Sequence, residues 1–209
     1  MNRRLKSLPR LVAVHCVAGG ALILSGNALA HDAKEHAAHM AMAKTGDYKS
    51  SVRSYAIPDV SLIDAEGRTV RLRELLATPD PVMLNFIFTT CGAICPVMSQ
   101  VFSEVPGKLG AQAGKLRMVS ISIDPENDTP AKLKSYAKTY GANSRWTFLT
   151  GRVEDVKVVQ LAFNSYRGDK MNHEPLTLLH PAPDKPWVRI DGFASSKDLV
   201  QEYHKVMTQ

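Results

Sequence analysis

Two cysteines in the segment VMLNFIFTTCGAICPVM carry the side chains of this chain that are best suited to chemistry. Cys91 and Cys95 are spaced C-x3-C, and Pro96 follows directly. Thiolates form and break disulfides, and they also bind soft metal ions. The spacing therefore predicts a reactive pair that forms either a disulfide or part of a metal site. The two cysteines alone do not decide between these.

The residues around the pair predict where it lies. The run 82–88, apolar apart from Asn85, predicts a strand that is buried on both faces. Proline is favoured at the first position of a helix, so we expect Cys91 in the loop after the strand and Cys95 at a helix start. The dipole and free N–H groups of that helix would stabilise the Cys95 thiolate. One helical turn would bring both sulfurs to the same side.

The number of cysteines argues against a purely structural disulfide. The chain has three cysteines, of which Cys16 lies in the apolar part of the N-terminal segment. Only Cys91 and Cys95 remain beyond that segment. A structural disulfide gives most stability when it closes a long loop, whereas Cys91 and Cys95 would close a very short one. This favours a reactive or metal-binding pair.

A histidine would be the natural third ligand of a soft metal site. Beyond the N-terminal region the chain has His173, His180 and His204. His204 lies among charged residues of a predicted helix and is expected to be solvated, and His180 precedes Pro181 and is expected in a turn. His173 lies in a loop just before the predicted strand 176–179. That loop can reach over the cysteines, so His173 is the candidate ligand, with an ordinary loop residue as the alternative.

The first thirty residues predict a signal peptide. A basic start is followed by the apolar run 11–24 and by Ala28-Leu29-Ala30, an A-x-A cleavage pattern before His31. We therefore assign residues 1–30 to export, with a periplasmic location for the mature protein. An uncleaved membrane anchor is the alternative, although the apolar run is short for one.

Residues 31–54 are interpreted as a mobile tail rich in histidine and methionine. The potential ligands are crowded into twelve residues: His31, His36, His39, Met40 and Met42. Imidazole and thioether groups suit copper, so the tail is either an accessory metal-binding tract or a polar spacer.

The charge of the chain gives no indication of a nucleic-acid partner. The net charge of +6 includes four basic and no acidic residues from the predicted signal peptide, which leaves +2 for the other 179 residues. No basic patch is interleaved with aromatic residues, so nucleic acid is not expected as a partner. The remaining length suits a single domain, which we place at residues 55–209.

Strands alternate with helices along that domain, which predicts an α/β fold. We expect a mostly parallel central sheet with helices on both faces and an N-terminal β-hairpin built from residues 60–63 and 69–72. Ligands of such sheets gather at the carboxyl ends of the strands, where the cysteine pair is predicted to lie. The chain has no G-x-G-x-x-G or G-x-x-x-x-G-K motif, so a nucleotide is not expected.

Several motifs taken together resemble the SCO/SenC family. C-x3-C-P is followed by S-x-D-P-x-x-D-T-P at residues 122–130, by W-T-F-L-T-G at residues 146–151, and by a late histidine before a strand. The resemblance covers roughly residues 55–203. It implies a thioredoxin-like fold and copper, as Cu(I), Cu(II) or both, bound by Cys91, Cys95 and His173.

The resemblance also implies a function. Members of this family are exported and serve in the maturation of the copper centre of cytochrome c oxidase, as metallochaperones, as thiol reductants, or as both. The expected partners are a client cuproenzyme or the chaperone that delivers copper. The alternative is a periplasmic thiol-disulfide oxidoreductase in which Cys91 and Cys95 form the redox pair and act on a partner disulfide. The sequence does not indicate which cysteine would attack.

The chain departs from the family pattern beside the expected ligands. The family commonly has C-P-D-x-C-P, whereas Gly92 and Ala93 follow Cys91 here, and Asn172 stands where the family often has aspartate. Loss of carboxylates weakens charge-based docking and changes the surroundings of the ligands. A cuproenzyme other than cytochrome c oxidase therefore remains an alternative client.

Four other residues have side chains that could take part in catalysis or metal binding, but each also has a simpler interpretation. Asp124 and Asp128 are acid–base candidates, but we expect a turn former and a helix cap. Met98 and Met171 are candidate copper ligands, of which Met98 is expected to pack in the core and Met171 stays open.

Overall fold

A mixed sheet of eight strands runs through the computed structural model, which describes residues 47–208 together with Ala38 and Ala41. The strands are β1 Tyr48–Arg53, β2 Ser61–Asp64, β3 Thr69–Arg71, β4 Val82–Ile87, β5 Arg117–Ser122, β6 Trp146–Thr150, β7 Leu176–His180 and β8 Trp187–Gly192. Their spatial order is β1-β8-β7-β4-β5-β6-β2-β3. The predicted signal peptide and the tail ligands lie outside the described residues.

Helices cover both faces of the sheet, as predicted. They are α1 Leu72–Leu76, α2 Ile94–Leu109, α3 Pro130–Thr139, α4 Val153–Ala162 and α5 Ser196–Met207, with 3-10 turns at Gly110–Gly114 and Lys170–Asn172. Met83 and Ile87 of β4 belong to the core beneath α2 and α5, whereas Leu84 belongs to the core beneath α4. The alternation explains why β4 is apolar at every position except the buried Asn85: both of its faces are buried.

Among residues 47–208, parallel pairing is confined to the three central strands β4, β5 and β6. The sequence predicted a mostly parallel sheet, but β7 runs antiparallel to β4, and β8 and β1 continue that half of the sheet with antiparallel pairing. The long connection between α4 and β7 is the physical reason, because it brings the chain back to the carboxyl end of β4 before β7 begins. The end of β4 and the start of β7 therefore lie side by side.

The boundary between the predicted tail and the domain needs correction. Residues 31–54 were assigned to a mobile tail, yet Tyr48–Arg53 forms an edge strand that pairs with the whole of β8. The Tyr48 hydroxyl and the Ser50 hydroxyl also donate hydrogen bonds to Glu202 of α5 at 3.2 and 3.0 Å. An edge strand is held by backbone pairing and needs no apolar run, so the hydrophobic pattern does not reveal it. The domain thus includes residues from at least Tyr48 onward.

The predicted hairpin is present at the other edge, where β2 pairs with β3 and with β6. The buried carboxylate of Asp64 closes its turn by accepting hydrogen bonds from the backbone N–H groups of Glu66 and Arg68. Burial would raise the pKa of Asp64, but the hydrogen bonds and the charge of Arg68 outweigh it and the pKa is lowered. Within the described part of the chain no helix has the length and apolar character needed to span a membrane.

Candidate metal centre

Cys91, Cys95 and His173 meet at the carboxyl end of β4. The Nε2 atom of His173 lies 3.6 Å from the Cys91 Sγ and 3.4 Å from the Cys95 Sγ. All three potential ligand atoms lie within 4.8 Å of one another. Cys91 comes from the loop after β4, Cys95 from the first turn of α2, and His173 from the loop before β7. The antiparallel direction of β7 is what brings the histidine to the cysteines.

The backbone fixes both sulfur atoms. The Cys95 N–H donates to the Cys91 Sγ at 3.3 Å, and the Phe88 N–H donates to the Cys95 Sγ at 3.4 Å. Both cysteines are free thiols. Cys95 is fully buried, whereas Cys91 retains 9% of its surface. The cysteine nearer the solvent is thus the one in the loop.

The imidazole of His173 is oriented by its second nitrogen. Its Nδ1 lies 2.8 Å from the carbonyl oxygen of Lys170. A carbonyl can only accept, so Nδ1 carries the proton and, in the neutral ring, the lone pair of Nε2 faces the sulfurs. The ring also packs edge-on against Phe88, with 5.0 Å between the ring centroids. The neutral histidine is therefore held in the tautomer that a metal ligand requires.

The two thiols differ in acidity. Hydrogen bonds from the Cys95 side chain and from backbone N–H groups outweigh the effect of burial and lower the pKa of Cys91 to about 4. Burial, followed by the interaction with Cys91, raises the pKa of Cys95 above its ordinary value. In the metal-free protein Cys91 is consequently the thiolate at neutral pH and Cys95 the thiol.

This difference predicts how the metal-free, reduced protein reacts with iodoacetamide. Cys91 should be alkylated at a rate that changes by less than about twofold between pH 5 and pH 8, because its thiolate is fully formed throughout. An ordinary thiol with a pKa of about 8.5 loses roughly a thousandfold of its thiolate over that range. The pH profile is the diagnostic quantity, since a low pKa also reduces the intrinsic nucleophilicity of a thiolate. Mass spectrometry of the Cys91 peptide measures the rate.

The matched control is Cys91→Ser, which leaves Cys95 as the reactive thiol of the site. Its alkylation should be slow and should fall steeply as the pH is lowered, because Cys95 is buried and its pKa is raised. Faster labelling of Cys95 than of Cys91 in the unaltered protein would contradict this assignment of the two thiols.

The other candidate ligands have different surroundings from one another. His180 is the last residue of β7, buried rather than in a turn, and its ring stacks on Trp187 with 4.2 Å between centroids. His204 is exposed on α5, as expected. Met98 is buried in the core beneath α2, also as expected. Met171 remains 70% exposed two residues before His173, at the rim of the cluster.

Sequence reasoning missed the polar network that anchors the two ligand loops. The fully buried Asp128 accepts hydrogen bonds from the backbone N–H and the hydroxyl of Thr89 and from the hydroxyl of Ser122. The cap of α3 is Thr129, whose side chain accepts from the Lys132 N–H, so Asp128 is free for this role. Asp124 forms an ion pair with Lys170. The repeated aspartates of the motif at residues 122–130 were the available signal.

The arrangement supports two kinds of chemistry. Two sulfurs and one imidazole nitrogen form a soft donor set of the type that suits Cu(I), and the histidine has an ordered hydrogen-bond partner behind it. The same two sulfurs are close enough for thiol-disulfide chemistry after small adjustments of the loop. Neither use requires a large rearrangement of the fold.

Comparison with known proteins identifies similar chains. The sequence profile of the SCO1/SenC family matches residues 49–208. A SCO1 protein homolog of Bacillus subtilis is 32% identical over 115 residues, which cover 54% of this chain and 58% of that protein. The match thus spans little more than half the length of this relative.

Solved structures are matched over most of their length. BsSco, described as a member of the Sco family of cytochrome c oxidase assembly proteins that contains a disulfide switch, superimposes with a TM-score of 0.63 at 27% identity, covering 76% of this chain and 96% of BsSco. The copper-bound structure of Arabidopsis thaliana ScoI gives a TM-score of 0.63 at 27% identity, covering 74% of this chain and 99% of that one. These matches confirm the predicted thioredoxin-like fold.

Proposed function

This chain belongs to the SCO1/SenC family, and we propose on that basis that it is an exported metallochaperone that carries copper on Cys91, Cys95 and His173. Its client is a cuproenzyme, and a copper centre of the cytochrome c oxidase type is the proposed destination. The observation that carries this proposal is the convergence of the three ligand atoms within 4.8 Å.

The donor set supports copper as the cargo. Thiolates are the preferred protein ligands of Cu(I), and the neutral imidazole offers Nε2 on the side of the sulfurs. A similar protein, Arabidopsis thaliana ScoI, is known with copper bound. BsSco belongs to a family of cytochrome c oxidase assembly proteins, which supports the proposed client.

The graded burial of the ligands supports delivery by ligand exchange. Cys95 is fully enclosed, Cys91 is slightly exposed, and His173 is half-buried in a surface loop. A partner's ligands can therefore displace His173 first and Cys91 second, and Cys95 is the last ligand to release the copper. The partner is either the client cuproenzyme or, in the loading direction, a copper-delivering chaperone. The signal-like residues 1–30 support a periplasmic location for this exchange.

A thiol-disulfide oxidoreductase is the second candidate, and the lowered pKa of Cys91 favours it. The Cys91 thiolate would attack one sulfur of a partner disulfide, forming a mixed disulfide and releasing the other sulfur as a thiolate. Cys95, after losing its proton, would attack Cys91 and release the second partner thiol. The partner gains two electrons, and Cys91 and Cys95 end as a disulfide. In this second candidate function Cys91 is the proposed attacking cysteine and Cys95 the proposed resolving one.

Copper titration of the reduced full-length protein against a competing Cu(I) chelator tests the proposal. We expect one tightly bound equivalent that disappears in the variant Cys91→Ser/Cys95→Ser and after oxidation of the pair to a disulfide. Subtracting the copper bound by that variant also removes any copper bound by the histidine- and methionine-rich residues 31–46. Absence of a thiol-dependent equivalent, together with rapid reduction of a disulfide substrate, would overturn the carrier function in favour of the oxidoreductase.

A further inference from the structure

The loop that carries His173 is tied to the sheet by one ion pair. The Lys170 Nζ lies 2.6 Å from the Asp124 Oδ2, at the end of β5. Asp124 is 4% exposed and also accepts hydrogen bonds from the Asn127 side chain at 2.9 and 3.1 Å. A buried carboxylate with these partners gives the lysine a fixed attachment point just after β5, the strand next to β4.

Lys170 connects this attachment point to the histidine ring through its own backbone. Its carbonyl accepts the Nδ1–H of His173 at 2.8 Å and the backbone N–H of the same residue at 3.2 Å. Its ammonium group also lies 5.6 Å from the centroid of the Phe88 ring, against which His173 packs. The lysine thus holds β5 with its side chain and orients the imidazole with its main chain.

We infer that Asp124 and Lys170 are positioning residues that hold His173 at the two cysteines. This inference rests on the proposed copper-carrying function. The turn at Lys170–Asn172 and the imidazole form one local unit, because the hydrogen bonds between them span three residues. The ion pair is what places that unit relative to the loop after β4 and the start of α2, which carry Cys91 and Cys95. Without it the unit keeps its internal hydrogen bonds but is no longer held against Phe88.

The primary variant is Lys170→Met, which keeps an unbranched side chain of nearly the same length and removes its charge. We expect Cu(I) affinity to fall about 10-fold to 100-fold, the usual effect of removing a group that supports a metal ligand. Lys170→Arg, which can still pair with a carboxylate, should recover most of the affinity. Asp124→Asn/Lys170→Met should be no weaker than Lys170→Met alone, because both changes break the same contact.

The matched control is Lys205→Met on α5. Lys205 pairs with the buried Glu202 at the same 2.6 Å but lies on α5, which supplies none of the three residues of the cluster. This variant should bind copper like the unaltered protein. It therefore separates the loss of a lysine–carboxylate pair in general from the loss of the pair behind His173.

A readout in the metal-free protein makes the inference independent of copper. The nuclear Overhauser contact between the rings of Phe88 and His173 should be present in the unaltered protein and in Lys205→Met, and lost in Lys170→Met, while the melting temperatures stay close. If the contact and the Cu(I) affinity both persist in Lys170→Met, the positioning role is wrong although the carrier function stands. If the unaltered protein fails to bind copper, the carrier function fails while the ring contact still tests the positioning.

Discussion

Replacement of Cys95 with serine is expected to weaken Cu(I) binding by about 100-fold to 1,000-fold. Binding of a four-ligand structural zinc site is worth about 10–16 kcal/mol, so a single ligand contributes roughly 2.5–4 kcal/mol. The serine hydroxyl is a poor ligand for a soft ion, yet it can accept the Phe88 N–H that the Cys95 Sγ accepts. The change should therefore remove a ligand and leave the fold in place. Competition with a Cu(I) chelator measures the loss.

Two further variants serve as comparisons for that result. Ser99→Ala alters a fully buried polar residue one turn further along α2, whose hydroxyl contacts the Tyr136 hydroxyl at 2.8 Å, and it should leave the affinity unchanged. His173→Ala should cause a smaller loss than Cys95→Ser, because both thiolates remain. An affinity that is insensitive to Cys95 would place copper elsewhere on the chain and would remove the cluster as the carrier site.

The local parts of the site could be predicted from the sequence because short-range rules determine them. The apolar run 82–88 and Pro96 place a strand and a helix on either side of the cysteines, and both are present as β4 and α2. α2 begins at Ile94, two residues before Pro96, and so includes Cys95 in its first turn. Spacing alone left His173 undecided between a ligand and a loop residue, and the family resemblance favoured it as a ligand.

The parts that the sequence did not reveal all depend on contacts between distant residues. β1 is held by pairing with a strand more than 130 residues away, and its polar sequence carries no strand pattern. Asp124 and Lys170 are 46 residues apart, and nothing in either segment indicates the other. The direction of β7 depends on the path of a long loop. Such features are decided by the assembled sheet and not by local preference.

The direction of β7 shows why the fold and the site cannot be separated. Had β7 been parallel to β4, its start and the preceding His173 would lie at the opposite end of the sheet from Cys91. Antiparallel pairing, with Asn85 opposite Thr177, places the entry into β7 beside the exit from β4. The prediction of a mostly parallel sheet thus missed the feature that assembles the cluster.

Asp128→Ala is expected to lower the free energy of unfolding by about 3 kcal/mol. Its carboxylate accepts three hydrogen bonds within the core, at 3.0 and 2.5 Å from Thr89 and at 2.6 Å from Ser122. Hydrogen bonds to a charged group contribute about 1.5–3 kcal/mol each, but the net loss is smaller than the sum of three because the truncation also removes the cost of burying the carboxylate. The truncation still leaves the Thr89 N–H without its partner. Thr89 is two residues before Cys91, so the cysteine loop should also lose its attachment to β5. Urea unfolding measures the stability, and chelator competition measures a Cu(I) affinity that should fall about tenfold.

Asp64→Ala is the matched control, because Asp64 is also buried and its carboxylate also accepts hydrogen bonds from two backbone N–H groups and an arginine side chain. It lies in the hairpin at the edge of the sheet beyond β6, so its loss should reduce stability and leave Cu(I) affinity unchanged. If both variants were to lower the affinity equally, the effect would reflect general instability. If only Asp128→Ala does so, the aspartate holds the cysteine loop in the geometry that binding needs, and the motif at residues 122–130 secures Cys91 through Asp128 as it secures His173 through Asp124.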